Sequence, residues 1–503
     1  MKIKKIEIRD YKAFYGKKEI NVEGKNLFVY GENGSGKSSL YYALKDFFQS
    51  SIEDFNYDET ENIFIEDAEK GKGYIKVFFN PDKDGNTTPT GKEYSVTKTT
   101  KNTYTTGDTS IRDAIKLKSF LTYKHLLDIH HIKKNDEIDL FDLLVKGVLK
   151  HFKSVAITGN KELGELWTDF EKAVSKPLEG TAYNITKKKS DVDAALLAFN
   201  TAFSKLFQAG SPENILKFAQ PILDKFGHNI EIELRYTSTK VNPDYNAYER
   251  NHVRISIKYL GKTIPKPHVF LNEARLSAIA ISIYLGMVKR HIQGIPCKIL
   301  FLDDIFIGLD ISNRLPLLEI LDTDFSKYQV FVTTYDKPWY EFMKSSYLHN
   351  NTAWKSYEFY ARRSAQGFEI PIIHEINNQS HIKHYIDKAD AYFNDGDNKA
   401  AGVYLRSAFE FILKQFCHKN VPVQFYPDIS KMTANTFWEA IKDFKTRGVG
   451  VCNLTQATET EIDNLLRLVL NPLSHHTINK HEISGEIQRA LVAIKTLKTE
   501  LSR

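Results

Sequence analysis

A glycine-rich loop between a predicted strand and a predicted helix constrains this chain more than any other feature of its sequence. Residues 26–30 form a short apolar run typical of a buried strand, and residues 39–48 carry apolar side chains at helical spacing. The segment between them fits the phosphate-loop pattern G-x-x-x-x-G-K-[ST] at every fixed position. The candidate binding residues in the loop and at the helix start are Gly31, Asn33, Gly34, Ser35, Gly36, Lys37, Ser38 and Ser39. Strand, loop and helix in this order predict an α/β domain.

The residue types in this loop suit the binding of a triphosphate. Glycines let the backbone curl so that successive N–H groups point inward at an anion. Lys37 would place a positive charge on the outer phosphates, and Ser38 would offer a hydroxyl to a bound Mg²⁺. The positive end of the helix that follows faces the same phosphates. We therefore expect ATP and Mg²⁺ as cofactors at residues 31–39.

A second predicted strand ends in two carboxylates. Residues 298–302 are mostly apolar, and Asp303 and Asp304 follow directly. Beside the phosphate-loop strand, Asp303 would reach the Mg²⁺ shell and Asp304 would polarise a water near the γ-phosphate. The alternative is a buried strand that merely ends in acidic turn residues. The order of the two motifs along the chain favours the catalytic interpretation.

Composition describes an ordinary globular chain and excludes several classes of protein. The 503 residues predict two to four domains, with 42% hydrophobic and 26% charged residues. A net charge of +6 is compatible with nucleic acid but is no evidence for it. The three cysteines lack C-x-x-C spacing, which argues against a zinc hook or redox site. Without a secretory segment or an apolar run of about 18 residues, we expect a cytoplasmic protein without membrane contact.

The rest of the chain divides into a strand-containing part and a helical part. Further strands are predicted at residues 1–8, 17–22, 74–79, 93–99, 229–236 and 252–260. Helices are predicted within residues 111–151 and 190–226. Because no heptad repeat is sustained, residues from about 100 to 265 are expected to form a compact insertion and no coiled-coil arm. From residue 378 onward only helical periodicity remains, which predicts a domain boundary there.

Two segments of the chain resemble the ABC-type ATPases. The spacing from Asp303-Asp304 to Leu309-Asp310 is similar to their carboxylate pair and the loop that follows it. Residues 270–281 look like a variant of their signature, which opens a helix and caps the γ-phosphate held by the other subunit. The residues that this resemblance places at the partner's ATP are Asn272, Glu273, Ala274 and Asp310.

The resemblance covers residues 1–375 and is nearest to the SMC-like and RecF-like branch. It rests on Ile-Lys-Lys-Ile-Glu-Ile-Arg-Asp-Tyr-Lys-Ala-Phe at residues 3–14 and on the phosphate loop with its flanks. It implies an α/β ABC-type head with a helical and β insertion, which we assign to residues 1–377, and the helical periodicity beyond it predicts an all-α domain at residues 378–503. Such heads dimerise around two ATP molecules. Bacterial antiphage defence ATPases use this branch heavily, and the chain looks like one of them.

Several positions depart from the ABC pattern, including the missing paired glycines of the signature and the lack of a convincing Q-loop glutamine. Asn272 stands where the signature has a serine, although an asparagine also caps a helix well. Asp304 replaces the usual glutamate, and Tyr335 stands where a switch histidine is expected. A tyrosine is a poor general base at neutral pH because its reference pKa is about 10. We therefore expect slow hydrolysis, or hydrolysis that a partner controls.

The helical C-terminal part contains a possible ribonuclease set. Arg406 and Glu410 share one helix face, and the much later segment that ends in His475 and His476 follows an Asn-Pro pair. Convergent Arg, Glu and His side chains could bind a phosphate and move protons, as metal-free RNA cleavage requires. The alternative is an ordinary helical ion pair and a helix end. The pattern resembles HEPN-like domains, in particular those of anticodon nucleases fused to ABC-type ATPases.

These observations leave three functions open. In the first, the chain is an ATPase subunit of a defence system that oligomerises, senses a phage protein or nucleic acid, and controls a separate effector nuclease. In the second, it is itself an ATP-regulated ribonuclease that acts on tRNA. In the third, it is a RecF-like DNA-repair ATPase, which leaves the helical domain unexplained. The first is favoured, by analogy.

Overall fold

The computed structural model divides the chain into two compact units, Met1–Glu375 and Ile376–Arg503. Each unit has its own hydrophobic core. The residues that the structure describes are 1–80, 93–98, 109–130, 139–177, 179–290, 295–348, 351–364, 366–376, 381–421, 433–448, 450–470 and 484–502.

A six-stranded sheet forms the centre of the first unit, with strand order β15-β14-β3-β13-β12-β6. Its strands are β3 (Asn26–Gly31), β6 (Phe120–Thr122), β12 (Ile299–Asp303), β13 (Gln329–Thr334), β14 (Trp354–Arg363) and β15 (Glu369–Ile376). The strands from β14 to β6 pair in parallel. The three central strands β3, β13 and β12 are almost entirely buried, as expected for a parallel sheet covered on both faces. Their carboxyl ends meet at one edge of the sheet.

Two antiparallel sheets and a short ribbon complete the β-structure of this unit. One sheet has the order β2-β1-β4-β5 and another the order β11-β10-β7, while β8 pairs with β9. Their strands are β1 (Ile3–Tyr11), β2 (Phe14–Asn21), β4 (Tyr74–Phe79), β5 (Glu93–Thr97), β7 (Ile230–Tyr236), β8 (Lys240–Val241), β9 (Tyr248–Glu249), β10 (Val253–Tyr259) and β11 (Lys262–Ile264). The strands predicted at residues 74–79, 93–99, 229–236 and 252–260 are thereby confirmed.

The helices of the first unit cover both faces of the central sheet. They are α1 (Lys37–Gln49), α2 (Ser110–Lys116), α3 (Tyr123–His130), α4 (Leu163–Ser175), α5 (Ala182–Lys205), α6 (Leu216–Asp224), α7 (Pro267–Phe270), α8 (Glu273–Arg290), α9 (Ile311–Asp324) and α10 (Lys337–Ser346). Helix α1 shares a core with β1 and with one face of the central sheet. Helix α8 shares a second core with the other face and with α4, α5 and α6. The sequence-based description of residues 111–151 as mostly helical missed β6, and α4 was not predicted.

The described elements of the second unit beyond residue 380 are helical. They are α11 (His381–Asn394), α12 (Asn398–Asn420), α13 (Ala434–Arg447), α14 (Gln456–Leu465), a π-helical turn (Leu466–Leu470) and α15 (Ser484–Leu501). Residues from all of these elements meet in one core around Phe409, Trp438 and Ile494. None of the helices traced in either unit has the length and apolar character needed to cross a membrane.

Candidate functional site

The phosphate loop connects the end of β3 to the start of α1. Gly34 and Gly36 have φ angles of 83° and 96°, a left-handed conformation that side chains with a Cβ rarely adopt. A Cβ on Gly36 would also lie 3.1 Å from Pro371 and 3.3 Å from Phe14. A Cβ on Gly31 would come within 2.8 Å of Lys37. The backbone therefore takes a path for which these glycines are needed, and the strand and helix predicted around the loop are confirmed.

Lys37 is buried under the loop. Its Nζ donates hydrogen bonds to the carbonyl oxygens of Gly31, at 2.7 Å, and Glu32, at 3.1 Å. Burial lowers the pKa of this ammonium group, while the nearby carboxylates of Asp304 and Asp303 raise it. The loop thus holds a fixed positive charge beside two acidic groups.

Asp303 ends β12 within hydrogen-bond distance of the start of α1. Its Oδ2 accepts a hydrogen bond from Ser38 Oγ at 3.3 Å, and its Oδ1 accepts one from Thr333 Oγ1 at 2.6 Å. Burial raises the pKa of Asp303, and both hydroxyl groups oppose that rise. The sequence analysis did not identify Thr333. Thr333 could have been found only from the register of β12 and β13, because it stands directly opposite Asp303 in this parallel strand pair.

Asp304 stands at the start of the turn after β12 in an unusual conformation. Its φ angle is 53°, which is strained for a residue with a side chain. Burial raises its pKa to about 6, with Lys37 opposing the shift and Asp303 adding to it. Its Oδ1 is buried without a hydrogen-bond partner within the described part of the chain. The Tyr335 backbone donates a hydrogen bond to Asp304, and the Tyr335 side chain is 45% exposed.

The donors and acceptors at this site suit a magnesium triphosphate. Hydroxyl and carboxylate oxygens, such as those of Ser38 and Asp303, are ligands that Mg²⁺ accepts. The Ser35 hydroxyl is buried and unpaired among the described residues. Buried polar atoms are usually hydrogen-bonded, so an unpaired hydroxyl in the loop and an unpaired carboxylate oxygen on Asp304 fit a site at which a ligand supplies the missing partners.

The four residues expected at a partner's ATP lie at two helix starts. Asn272 Oδ1 accepts a hydrogen bond from the backbone N–H of Arg275 at 3.1 Å, so Asn272 caps α8, as the sequence allowed. Glu273 is the first residue of that helix, and Ala274 is half-buried. Asp310 caps α9 by accepting a hydrogen bond from Asn313 N–H at 3.0 Å. Asn272, Glu273 and Asp310 are exposed.

The loop between β12 and α9 packs closely on α8. A Cβ on Gly308 would overlap the hydroxyl of Ser277, a buried residue in the second turn of α8. This contact ties the turn after Asp304 to the helix that Asn272 caps. The two helix starts therefore belong to one packed region.

The possible ribonuclease set is described only in part. Arg406 and Glu410 form an ion pair along α12, with Nε and Oε1 separated by 2.9 Å, which confirms their common helix face. His475 and His476 lie outside the described residues. Their convergence with Arg406 and Glu410 stays a prediction.

The fold and the site define a class of protein. The chain combines a parallel sheet and a phosphate loop with a strand, β12, whose terminal carboxylate meets Ser38. Strand β13 lies between β12 and β3, so β12 is not directly beside the phosphate-loop strand as the sequence suggested, although Asp303 still reaches the loop. This arrangement forms the ATPase head of an ABC-type P-loop protein. The model of the RecF/RecN/SMC N terminal domain family matches residues 2–353, and the chain belongs to this family. Its function is accordingly that of an ATP-binding ATPase, and proteins of this class use ATP with Mg²⁺.

The solved structures to which the chain is similar include SMC head domains. One is a Pyrococcus furiosus Smc head with an extended coiled coil, bound to the C-terminal domain of ScpA. Its sequence is 13% identical, the TM-score is 0.41, and the match covers 77% of this chain and 99% of the Smc chain. An SMC head domain from Thermotoga maritima is 12% identical with a TM-score of 0.35, covering 75% of this chain and 100% of its own. No curated protein matches the chain.

Proposed function

We propose that the chain binds Mg²⁺ and ATP in the phosphate loop and hydrolyses ATP slowly. The supporting observation is the meeting of Ser38 with Asp303 beside the buried Lys37, next to the unpaired carboxylate oxygen of Asp304. The other proposed nucleotide contacts are Gly31, Asn33, Gly34, Ser35, Gly36 and Ser39. Ser38 and Asp303 would hold the Mg²⁺, whose charge offsets the charge that develops on the phosphate oxygens.

Slow hydrolysis follows from the groups that would handle the attacking water. Asp304 would accept hydrogen bonds from this water through its free Oδ1 and so orient it. Tyr335 contacts Asp304 through its backbone, and a phenol is a poorer proton acceptor than an imidazole. We infer that ATP acts here more as a clamp between subunits than as a rapidly consumed fuel.

We further propose that two copies associate around ATP, or that larger oligomers form. Asn272, Glu273, Ala274 and Asp310 would contact the nucleotide bound by the partner subunit. Their neighbours Phe270 and Ile307 are apolar and exposed by 63% and 43%, which suits a surface that becomes buried on association. The N-terminus of α8, with its partial positive charge, suits contact with a phosphate.

The cellular role we propose is the control of a separate effector nuclease in an antiphage defence system. A phage protein or nucleic acid would be the trigger, and the helical unit would contact the effector. The support is the resemblance of the head to defence ATPases, together with an ATPase site equipped for slow turnover. A tRNA-cleaving activity of the helical unit is the second candidate, and its supporting observation is the Arg406–Glu410 pair. No particular observation favours a RecF-like DNA-repair role.

Two substitutions test the ATPase site. We expect Lys37→Ala to abolish ATP binding, because it removes the cation from the loop. Asp304→Asn should still bind ATP but release phosphate roughly 100-fold or more slowly, and should accumulate an ATP-bound dimer. Calorimetry, phosphate release and light scattering measure these effects. Lys45→Ala, on the same helix as Lys37 but near its end, is the matched control and should behave like the wild type. Normal ATP binding by Lys37→Ala would contradict the proposal.

A further inference from the structure

A stacked aromatic pair lies beside the phosphate loop and has no part in the function proposed above. The rings of Phe64 and Phe368 are parallel within 3°, and their centroids are 4.5 Å apart. The ring of Tyr15 meets Phe368 edge-on at 5.2 Å. Phe64 is 49% exposed, and Phe368 covers one face of its ring. An exposed ring in a fixed stack is suited to hold another flat group.

One end of this pair is attached to the phosphate loop through β15. Phe368 directly precedes Glu369, the first residue of β15. Glu369 Oε2 lies 3.4 Å from the position that a Cβ on Gly34 would occupy, and Pro371 lies 3.1 Å from the corresponding position on Gly36. The hairpin that carries Phe368 therefore packs directly against the loop.

The other end is attached to helix α1 through the turn after β1. The Ala13 N–H donates a hydrogen bond to Ser39 Oγ at 3.3 Å, which joins this turn to the start of α1. Asn62 Nδ2 donates to the Lys12 carbonyl at 2.7 Å, and Asn62 Oδ1 accepts from the Phe64 N–H at 2.9 Å. A continuous series of contacts thus runs from the loop helix to Phe64 and returns to the loop through Phe368.

We propose that Phe64 and Phe368 form a stacking platform for the base of the nucleotide whose phosphates bind in the loop. This inference rests on the proposed function, since it requires the phosphates to bind at Lys37. A flat base gains dispersion and electrostatic attraction on an aromatic ring, and every base has such a face. The platform therefore strengthens binding without choosing between purines. Phe368 lies beyond residues 2–353, which the family model matches.

The experiment compares a nucleotide with a ligand that has no base. ATP, GTP and inorganic tripolyphosphate are titrated, each with Mg²⁺, into the full-length wild type and Phe64→Ala. We expect the substitution to weaken ATP and GTP by the same factor, roughly tenfold, because base stacking on one ring contributes about that much affinity. The affinity for tripolyphosphate should not change. The same titrations with Phe368→Leu should give the same pattern.

Matched variants separate stacking from a loss of structure. Phe64→Trp keeps a flat ring and should retain the wild-type ratio of ATP to tripolyphosphate affinity. Phe207→Ala removes a ring from another stacked pair, with Tyr236 at 4.8 Å, and should change neither affinity. Thermal melting of each variant reports its folding.

The outcomes also distinguish this inference from the proposed function. An unchanged affinity ratio in Phe64→Ala, or an equal loss of ATP and tripolyphosphate, would overturn the platform while the ATP site stands. A fall in the ratio of ATP to tripolyphosphate affinity in Phe64→Trp would also overturn the stacking platform. A wild type that binds neither ligand would overturn the proposed function itself.

Discussion

Asp304 combines three features that oppose folding: burial of a carboxyl group, a left-handed backbone and an unpaired oxygen. Strain of this kind clusters at catalytic positions, where a functional group must stay available for a ligand. Its neighbour Asp303 is also buried but has two hydroxyl partners. The two adjacent carboxylates therefore suit two different tasks.

We predict that Asp304→Asn stabilises the nucleotide-free protein at pH 7. The pKa of Asp304 is about 6 in the folded state and close to 4 in an unfolded chain. Below about pH 4 the carboxyl group is protonated in both states and does not destabilise the fold. As the pH rises through 6 the buried group ionises, and the wild-type protein loses stability. Asparagine does not ionise. The free energy of unfolding should therefore rise by up to about 3 kcal/mol at pH 7, and this gain should vanish near pH 4.

Urea unfolding between about pH 4 and pH 8 measures this difference. Asp324→Asn is a control for which we expect the opposite change in stability, because ion pairs with Lys225 and Lys289 lower the pKa of Asp324. That variant should lose stability at pH 7. If Asp304→Asn were the less stable protein at pH 7, the buried, unpaired state of this carboxylate would be refuted.

At the scale of elements, the turn after β12 is in close contact with helix α8. Gly308 and Ser277 are packed so closely that a methyl group cannot be added between them without displacement. Overpacking of this kind in a buried contact costs about 1–3 kcal/mol. The turn contains Asp304 at its start and leads to Asp310, so a change of packing here affects both proposed ATP-contacting ends.

We predict that Gly308→Ala lowers the free energy of unfolding by about 1–3 kcal/mol and that Ser277→Ala in the same chain restores part of it. The hydroxyl is the atom that the new Cβ would overlap, so its removal makes room. The denaturation midpoints of the two single variants and the double variant measure the coupling. Additive effects of the two substitutions would contradict the contact. Gly485→Ala, at a helical position where φ is not positive and a Cβ meets nothing within 4 Å, controls for the loss of a glycine without overpacking.

Local signals were sufficient for some elements and insufficient for others. The strand and helix around the phosphate loop were predictable because apolar spacing and glycine positions act over a few residues. The contact of Ser38 with Asp303 followed from two motifs in the expected order. By contrast, the hydrogen bond from Thr333 depends on which strands become neighbours. The packing of the β14–β15 hairpin on the loop likewise depends on contacts between residues far apart in the sequence.

At the scale of the whole molecule, the two units each bury their own core. The core of the second unit draws on described residues from Ile382 to Leu501 and includes none from the first. Arg406 is mostly buried along α12 and pairs with Glu410, as a structural ion pair would. The same pair would also suit a phosphate site if His475 and His476 approached it. Folding alone therefore does not decide between a docking unit and a ribonuclease.

We predict that cells producing this chain alone grow normally and keep intact tRNA, because the proposed effector nuclease is a separate protein. Wild type, Lys37→Ala and the double variant His475→Ala/His476→Ala are induced in parallel, and growth and total RNA are followed. Purified wild type is also incubated with tRNA, with and without ATP, so that an activity suppressed in cells is detected. Cleaved tRNA in either assay, lost in the double variant and in Arg406→Ala, would make the helical unit the nuclease and the ATPase head its regulator. Intact tRNA throughout would favour control of a partner by the head. Co-purification in the presence of ATP, with the wild type and with Asp304→Asn, should then recover this partner. We expect a larger amount with Asp304→Asn.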